Sequence, residues 1–349
     1  MSLKRISLVL LLVFCLCPPV LAVDAAEAVV FAYHRFGDAR YPSTNIGPEQ
    51  FRQHLQLLHE YQANVISLGR LIAALDAGEP LPPRSVALTV DDAFQSFLSG
   101  ALPLLEEYGY PATLFVSTDM VGGNDYLDWG QLRQLQVKGI EIGNHSAGHD
   151  PLVDRLPGES QEAWAQRVEE DLNRADALFK RELGRIPELF AFPYGEFDPQ
   201  LCKIIEGHGF RAAFGQQSGV VTASLNRFSL PRFPVAGVYA DPQGFRSKLQ
   251  MRALPVTVLS PEGTLVLPAQ NPPRLKVRID MNGLDPQSLK CYVAGQDEAH
   301  IETSGYGEGQ FEIQAQSPLR GRRSKYTITA SDFSGTRWYW FSQLWVLVD

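Results

Sequence analysis

Two aspartates, Asp91 and Asp92, stand at the end of the apolar, β-branched run in SVALTVDDAFQSF. Adjacent carboxylates repel each other, and a cation or a shared proton is the usual remedy. Taken alone, the pair also fits a solvated strand end with an Asp capping the next helix. Further along, IEIGNHSAGHD sets His145 just past another apolar run, with His149 four residues on. In a helical turn, residues four apart lie on one side, so both imidazoles would reach one ion. A carboxylate from another strand would complete a two-His, one-Asp site with open positions for water, which is what catalytic zinc requires. The metalloprotease pattern HExxH is not met, because Ser146 stands where that pattern needs Glu. His34 closes an earlier apolar run, and Tyr194 lies in the Pro-Tyr-Gly that closes a later one.

Which elements bring these residues together? Short apolar runs at 29–33, 64–67, 86–90, 112–117, 140–143, 189–192 and 211–214 read as strands. Between them lie helical patterns, with Phe51, Leu55 and Leu58 recurring at helical spacing and residues 159–184 forming the longest stretch. Strands alternating with helices predict an α/β fold, here a distorted (β/α) barrel of about seven parallel strands or an open doubly wound layer. In a barrel the C-terminal strand ends share one face, where active sites lie. His34, Asp91–Asp92, His145 and Tyr194 would then meet in one cleft. After about residue 254 the pattern becomes strand-like, with turn residues at short intervals and no helical period, which predicts an Ig-like all-β sandwich. Its aromatics Trp338, Tyr339, Trp340, Phe341 and Trp345 read as core, with a sugar platform as the alternative. The expected organisation is a signal peptide at 1–22, an α/β domain at 28–253 and a β-sandwich at 255–349.

The bounds agree with an exported globular protein. The chain has 349 residues, 45% hydrophobic and 20% charged, with net charge -8. Outside the N-terminus the one basic run is residues 320–325, so nucleic-acid binding, which needs a positive surface, is not expected. Lys4 and Arg5 precede an apolar stretch and then small residues, the pattern of a secretory signal peptide with cleavage after Ala22 or Ala26. An uncleaved anchor is the alternative, although the stretch is short for a span of about 20 residues. Export implies a periplasmic, cell-envelope or secreted location. Beyond the signal only Cys202 and Cys291 remain, and they read as two buried thiols rather than a pair.

TVDDAFQSF, HSAGH and FPYGEFD resemble three signature motifs of the polysaccharide deacetylases, carbohydrate esterase family four with its NodB homology domain, over residues of about 28–236. The resemblance implies that Asp91 is the general base, that Asp92, His145 and His149 hold a divalent ion, and that the Tyr194 backbone N–H faces the oxyanion. Zinc suits that ligand set. The Leu-x-His motif that supplies the general acid is not found after Tyr194. FAYHRF near the N-terminus instead resembles the circularly permuted branch of poly-N-acetylglucosamine deacetylases, which makes His34 the acid and leaves His208 as the reserve candidate. Ala191 lies near the place of the Arg that orients the base in that family. Arg232 in LPRFPV is the candidate to replace it, with a surface or structural Arg as the alternative; in the orienting role its truncation is expected to cost turnover with little stability. Trp129 resembles a fourth-motif Trp, read as wall or core. The implied function is metal-dependent removal of N-acetyl groups from amino-sugar residues of an exported polysaccharide, with O-acetyl ester hydrolysis or non-catalytic carbohydrate binding as alternatives. The implied partners are that polysaccharide and a membrane-associated export machinery.

Overall fold

A computed structural model describes residues 27–303 and 309–348, so the expected signal peptide lies outside the described residues. The strands β1 (Glu27–Tyr33), β2 (Ser85–Val90), β3 (Thr113–Val116), β4 (Glu141–Asn144), β5 (Leu189–Ala191) and β6 (Ala212–Phe214) lie side by side in chain order. All five neighbouring pairs are parallel. Tyr33 pairs with Val90, Val116 with Asn144 and Ala191 with Phe214, so the strand ends fall at one rim. That register is what makes the residue following each strand a neighbour of the others.

The sheet curls until its edges approach. Leu230 donates its N–H to the Ala213 carbonyl and accepts from Gly215 N–H, both at 3.0 Å, along the β6 side. Two short strands, β7 (Val220–Thr222) and β8 (Phe233–Pro234), share the free edge of β1. β7 runs antiparallel along residues 27–29 and β8 parallel along Phe31 and Ala32. The antiparallel β7 was not expected from the sequence. The expected strand at 64–67 is only Asn64–Val65, paired with the first half of β2.

Helices end and begin where the chain's caps place them. Ser67 accepts from Arg70 N–H at the start of Leu68–Ala77, and Asp128 and Gln131 form a capping box at Trp129–Val137. The 23-residue helix Gln161–Leu183 runs from Ser160 to a left-handed Gly184. Along β1 and β2, Val29, Phe31, Tyr33, Val86, Leu88 and Val90 join one core while Ala28, Val30 and Ala87 join another. Both faces of the sheet are therefore dry. Each fully buried Val or Leu contributes roughly 1.5–3 kcal/mol, so apolar staves secure the fold and the rim is free to carry polar groups.

The C-terminal part is all-β in two sheets. One joins Arg252–Ala253, Trp338–Leu347, Arg323–Ser331 and Lys290–Val293, with Leu265–Val266 alongside; the other joins Val256–Ser260, Arg274–Ile279, Gln310–Gln314 and His300–Glu302. Leu275, Val277, Cys291, Ile313, Tyr326 and Trp345 form their shared core. Leu344 and Val346 pack with Phe192 and Phe197 of the curled-sheet unit, and Trp340 meets Phe233 edge-on at 5.6 Å. Of the five aromatics, Trp345 is fully buried and Tyr339, Trp340 and Phe341 pack on the cores, while Trp338 stays exposed. Cys202 and Cys291 are both buried free thiols. Among the described residues no helix is long and apolar enough to cross a membrane.

Candidate active site

The rim resolves the tandem aspartates. Asp91 continues the ladder, donating its N–H to the Tyr33 carbonyl at 2.9 Å, and its side chain is fully buried. Asp92 and Ala93 then take positive φ, 72° and 54°, a conformation that costs non-glycine residues roughly 1–3 kcal/mol each. That turn sends the second carboxylate away from the first. Asp91 receives Arg232 and His34; Asp92 receives the two histidines.

Arg232 grips Asp91 with both terminal nitrogens, Nη1 to Oδ1 at 2.6 Å and Nη2 to Oδ2 at 2.8 Å, with both side chains inaccessible to solvent. Its Nε donates to the Gly215 carbonyl at 2.8 Å and Nη1 also to Thr89 Oγ1 at 3.0 Å. Burial pushes the Asp91 carboxyl up, and the charges of Arg232, His145 and His34 more than reverse this, leaving it below its ordinary value. The expectation that Arg232 could be truncated at little cost to stability is corrected here. Removing it would strand a fully buried carboxylate.

His34 Nε2 lies 3.8 Å from Asp91 Oδ2, and its Nδ1 is buried without a hydrogen-bond partner. Burial lowers its pKa, against the opposing pull of Asp91 and Asp92. His208, the reserve candidate, is elsewhere. It ends the helix Pro199–His208 with Nδ1 at 2.8 Å from Glu169 and Nε2 at 2.9 Å from Asp176.

Asp92, His145 and His149 each offer a ligand atom within 4.8 Å of the others. Asp92 Oδ1 is 3.0 Å from His149 Nε2 and 3.5 Å from His145 Nε2, yet this buried oxygen makes no directional hydrogen bond. His145 Nδ1 sits 2.7 Å from the Ala191 carbonyl, which orients the ring with Nε2 toward Asp92. An orphaned carboxylate oxygen facing two oriented imidazoles is a donor set that fits a divalent cation. Burial raises the Asp92 pKa, and the facing imidazoles outweigh it, holding the carboxyl well below the usual range.

The two histidines do not converge through a helical turn, as their spacing suggested. Residues 145–149 form an irregular loop with positive φ at Ser146 (67°) and His149 (58°), and the ring centroids are 4.9 Å apart. Asn144 Oδ1 accepts from Ser146 N–H at 2.8 Å, and Ser146 Oγ accepts from His149 N–H at 2.9 Å. Buried Asp171 accepts from the N–H groups of Ala147 and Gly148 at 2.8 and 3.0 Å. Tyr194, also at positive φ (59°), sets its ring edge-on to His149 at 4.6 Å. Trp129 is half-buried against the core, edge-on to Phe179 at 5.9 Å.

Two residues at the site escaped the sequence reading. Gln216 donates through Nε2 to Asp91 Oδ2 at 3.3 Å and lies 3.5 Å from His34 Nε2. Asp171 holds the histidine loop; its one sequence signal is an acid on the apolar, buried side of a long amphipathic helix.

A family model for polysaccharide deacetylases matches residues 78–213, a span that contains Asp91, Asp92, His145, His149 and Tyr194. The chain contains a polysaccharide deacetylase domain. His34, Gln216 and Arg232 lie outside the matched span of this deacetylase domain. A poly-beta-1,6-N-acetyl-D-glucosamine N-deacetylase of Staphylococcus aureus is 22% identical over 212 residues, 59% of this chain and 73% of that protein. Among solved structures, IcaB from Ammonifex degensii superposes with a TM-score of 0.57 at 24% identity, covering 64% of this chain and 97% of IcaB. The Streptococcus pyogenes deacetylase PplD, in complex with acetate, gives 0.57 at 19%, covering 64% of this chain and 99% of PplD. At these identities the two structures establish a shared α/β fold with a curled parallel sheet.

Proposed function

We propose that the deacetylase domain hydrolyses N-acetyl groups of an exported poly-N-acetylglucosamine, using a divalent ion, with zinc the best match to its ligands. The observation that carries this reading is the division of labour at the rim. One carboxylate is locked to Arg232 beside His34, and the next faces two imidazoles. The Staphylococcus aureus relative acts on this class of polymer, as its name states.

Asp92, His145 and His149 would hold the ion, which when bound supplies Lewis acidity and makes a bound water more acidic. Asp91, kept as a carboxylate by Arg232, takes a proton from the attacking water. The Tyr194 N–H donates toward the developing oxyanion. His34 gives a proton to the departing amine, which leaves poorly without it. The same reading assigns residues 1–22 to a signal peptide that directs the protein to the periplasm, envelope or exterior, where an export machinery would present the polymer. It takes residues 28–253 as the catalytic unit and 255–349 as an Ig-like sandwich.

The test is acetate release from poly-N-acetylglucosamine and from acetyl esters, with and without chelator, together with metal content of two variants. Asp91→Asn should keep the metal and lose turnover, whereas Asp92→Ala should lose the metal as well. Chelator-insensitive release, or equal metal loss in both variants, would reject the assignment. Release from esters alone would reject the amide preference.

A further inference from the structure

The basic run at 320–325 has no part in the reaction described above, yet the fold carries it to the rim. It leads into the strand Arg323–Ser331 of the C-terminal β region. Lys325 Nζ donates to the Gln216 carbonyl at 2.7 Å. Gln216 is the residue whose side chain reaches Asp91 and His34. Arg322 donates to the Glu196 carboxylate at 2.6, 2.8 and 3.0 Å and to Asp154 at 2.7 Å. Glu196 is 1% exposed and stands two residues after Tyr194. Arg323 approaches Glu196 at 3.4 Å, and its guanidinium lies 5.2 Å from the centre of the Tyr194 ring.

These contacts converge on two loops that also touch each other. Gly195 (φ 71°) packs so closely on Gln216 that a Cβ there would lie 2.5 Å from the Gln216 Cβ. One of the loops carries the Tyr194 N–H and the other carries Gln216. Attachment of the β region by itself needs no such targeting, since Leu344, Val346 and Trp340 already bury apolar surface against the deacetylase domain. The cations instead grip short loops at the rim rather than the staves.

We propose that residues 322–325 are a positioning brace for the reaction centre: Lys325 sets Gln216 against Asp91 and His34, and Arg322 with Arg323 sets the Tyr194 turn through Glu196. The β region thereby acts on turnover through these two loops. The proposal rests on the deacetylase reading of the rim. It makes Lys325, Arg322 and Arg323 positioning residues, since none of them touches the ion ligands or Asp91.

The experiment uses the full chain and two readouts, amide hydrogen exchange and steady-state acetate release. In Lys325→Met, exchange in peptides spanning 194–197 and 214–217 should accelerate about tenfold while the staves keep their protection. Its kcat should fall about tenfold with KM within about twofold, the split expected when ground-state binding is spared. Arg322→Met, Glu196→Gln and their double variant should lower kcat by similar factors, with the double less than additive because both singles break the Arg322–Glu196 contact. Should Lys325→Met fail to fold, Arg322→Lys carries the test. It keeps a charge on Glu196 but loses the two-nitrogen grip, and should show the same changes at about threefold. Unchanged exchange in a folded variant overturns the brace, as does faster exchange with unaltered kcat. A wild-type chain that releases no acetate overturns the deacetylase reading instead, and the exchange readout still decides whether the basic run holds the two loops.

Discussion

All six residues of β2 are buried, whereas the strand Arg274–Ile279 of the β region alternates between exposed and buried positions. The difference follows from architecture. A parallel sheet wrapped in helices is dry on both faces, while each sheet of the C-terminal region turns one face to water. A strand buried on both faces has no place for an ionised group except at its end. The deacetylase domain therefore gathers the ionisable groups of its site at one rim, where the Asp91–Arg232 pair is fully buried. The β region distributes its charges along strands, as in Arg274–Glu312, where the arginine side chain is 67% exposed. What this teaches is that the same ion-pair chemistry carries different weight in the two units.

The largest effect expected from breaking this contrast concerns the histidines. His34→Ala should lower amide turnover by about 10²–10⁴-fold, the contribution of a general acid, with metal retained. The loss should be much smaller on an aryl acetate, whose phenolate departs unaided. His208→Ala, which alters a helix end away from the rim, should leave turnover within about twofold, since it removes no group that meets substrate. Equal kinetic losses in the two variants would dissolve the distinction between rim and periphery.

Next come the arginines. Arg232→Met should destabilise the fold by about 3–5 kcal/mol, because it leaves a buried carboxylate unpaired. Arg274→Met, which removes an exposed arginine and leaves Glu312 its Lys276 partner at 3.4 Å, should cost about 0–1 kcal/mol. Urea unfolding of both variants measures the gap, and similar values would mean that Asp91 finds water or another partner. A further consequence for Arg232→Met is a rise in the pH at which turnover falls on the acid side, since the cation that depresses the Asp91 pKa is gone.

The smallest effect separates rim histidines from a packing histidine. His54 is fully buried, stacked on Phe245 with ring centroids 3.9 Å apart, and its ring nitrogens meet Tyr33 Oη at 3.1 Å and the Ala240 carbonyl at 2.8 Å. Burial pushes its pKa down to about 4. The unfolded chain thus binds the proton more tightly, so His54 favours folding above the unfolded pKa of about 6.5 and loses that advantage as pH falls toward 4. Between pH 7 and pH 4.5 it should account for about 2–3 kcal/mol of lost stability. In His54→Gln the corresponding part of the pH dependence of unfolding should vanish, and an unchanged slope would locate the titration in other groups.

Local sequence carried the alternation of strands and helices, because burial leaves a period of two or 3.6 in the chain. It also carried the strand-end placement of His34, Asp91, Asp92, His145 and Tyr194, since parallel strands in one sheet must end at one rim. Tertiary structure alone decided the partners. Arg232 reaches Asp91 across 141 residues, Gln216 reaches it across 125, and Lys325 reaches Gln216 across 109. Tertiary structure also decided how His145 and His149 converge, through an irregular loop held by Asp171 instead of the helical turn that their spacing suggested. The physical reason is common to all of these. Periodicity records which side of an element is buried, whereas a long polar side chain spanning the gap between two elements leaves no periodic trace, and its partner exists only once the sheet has curled.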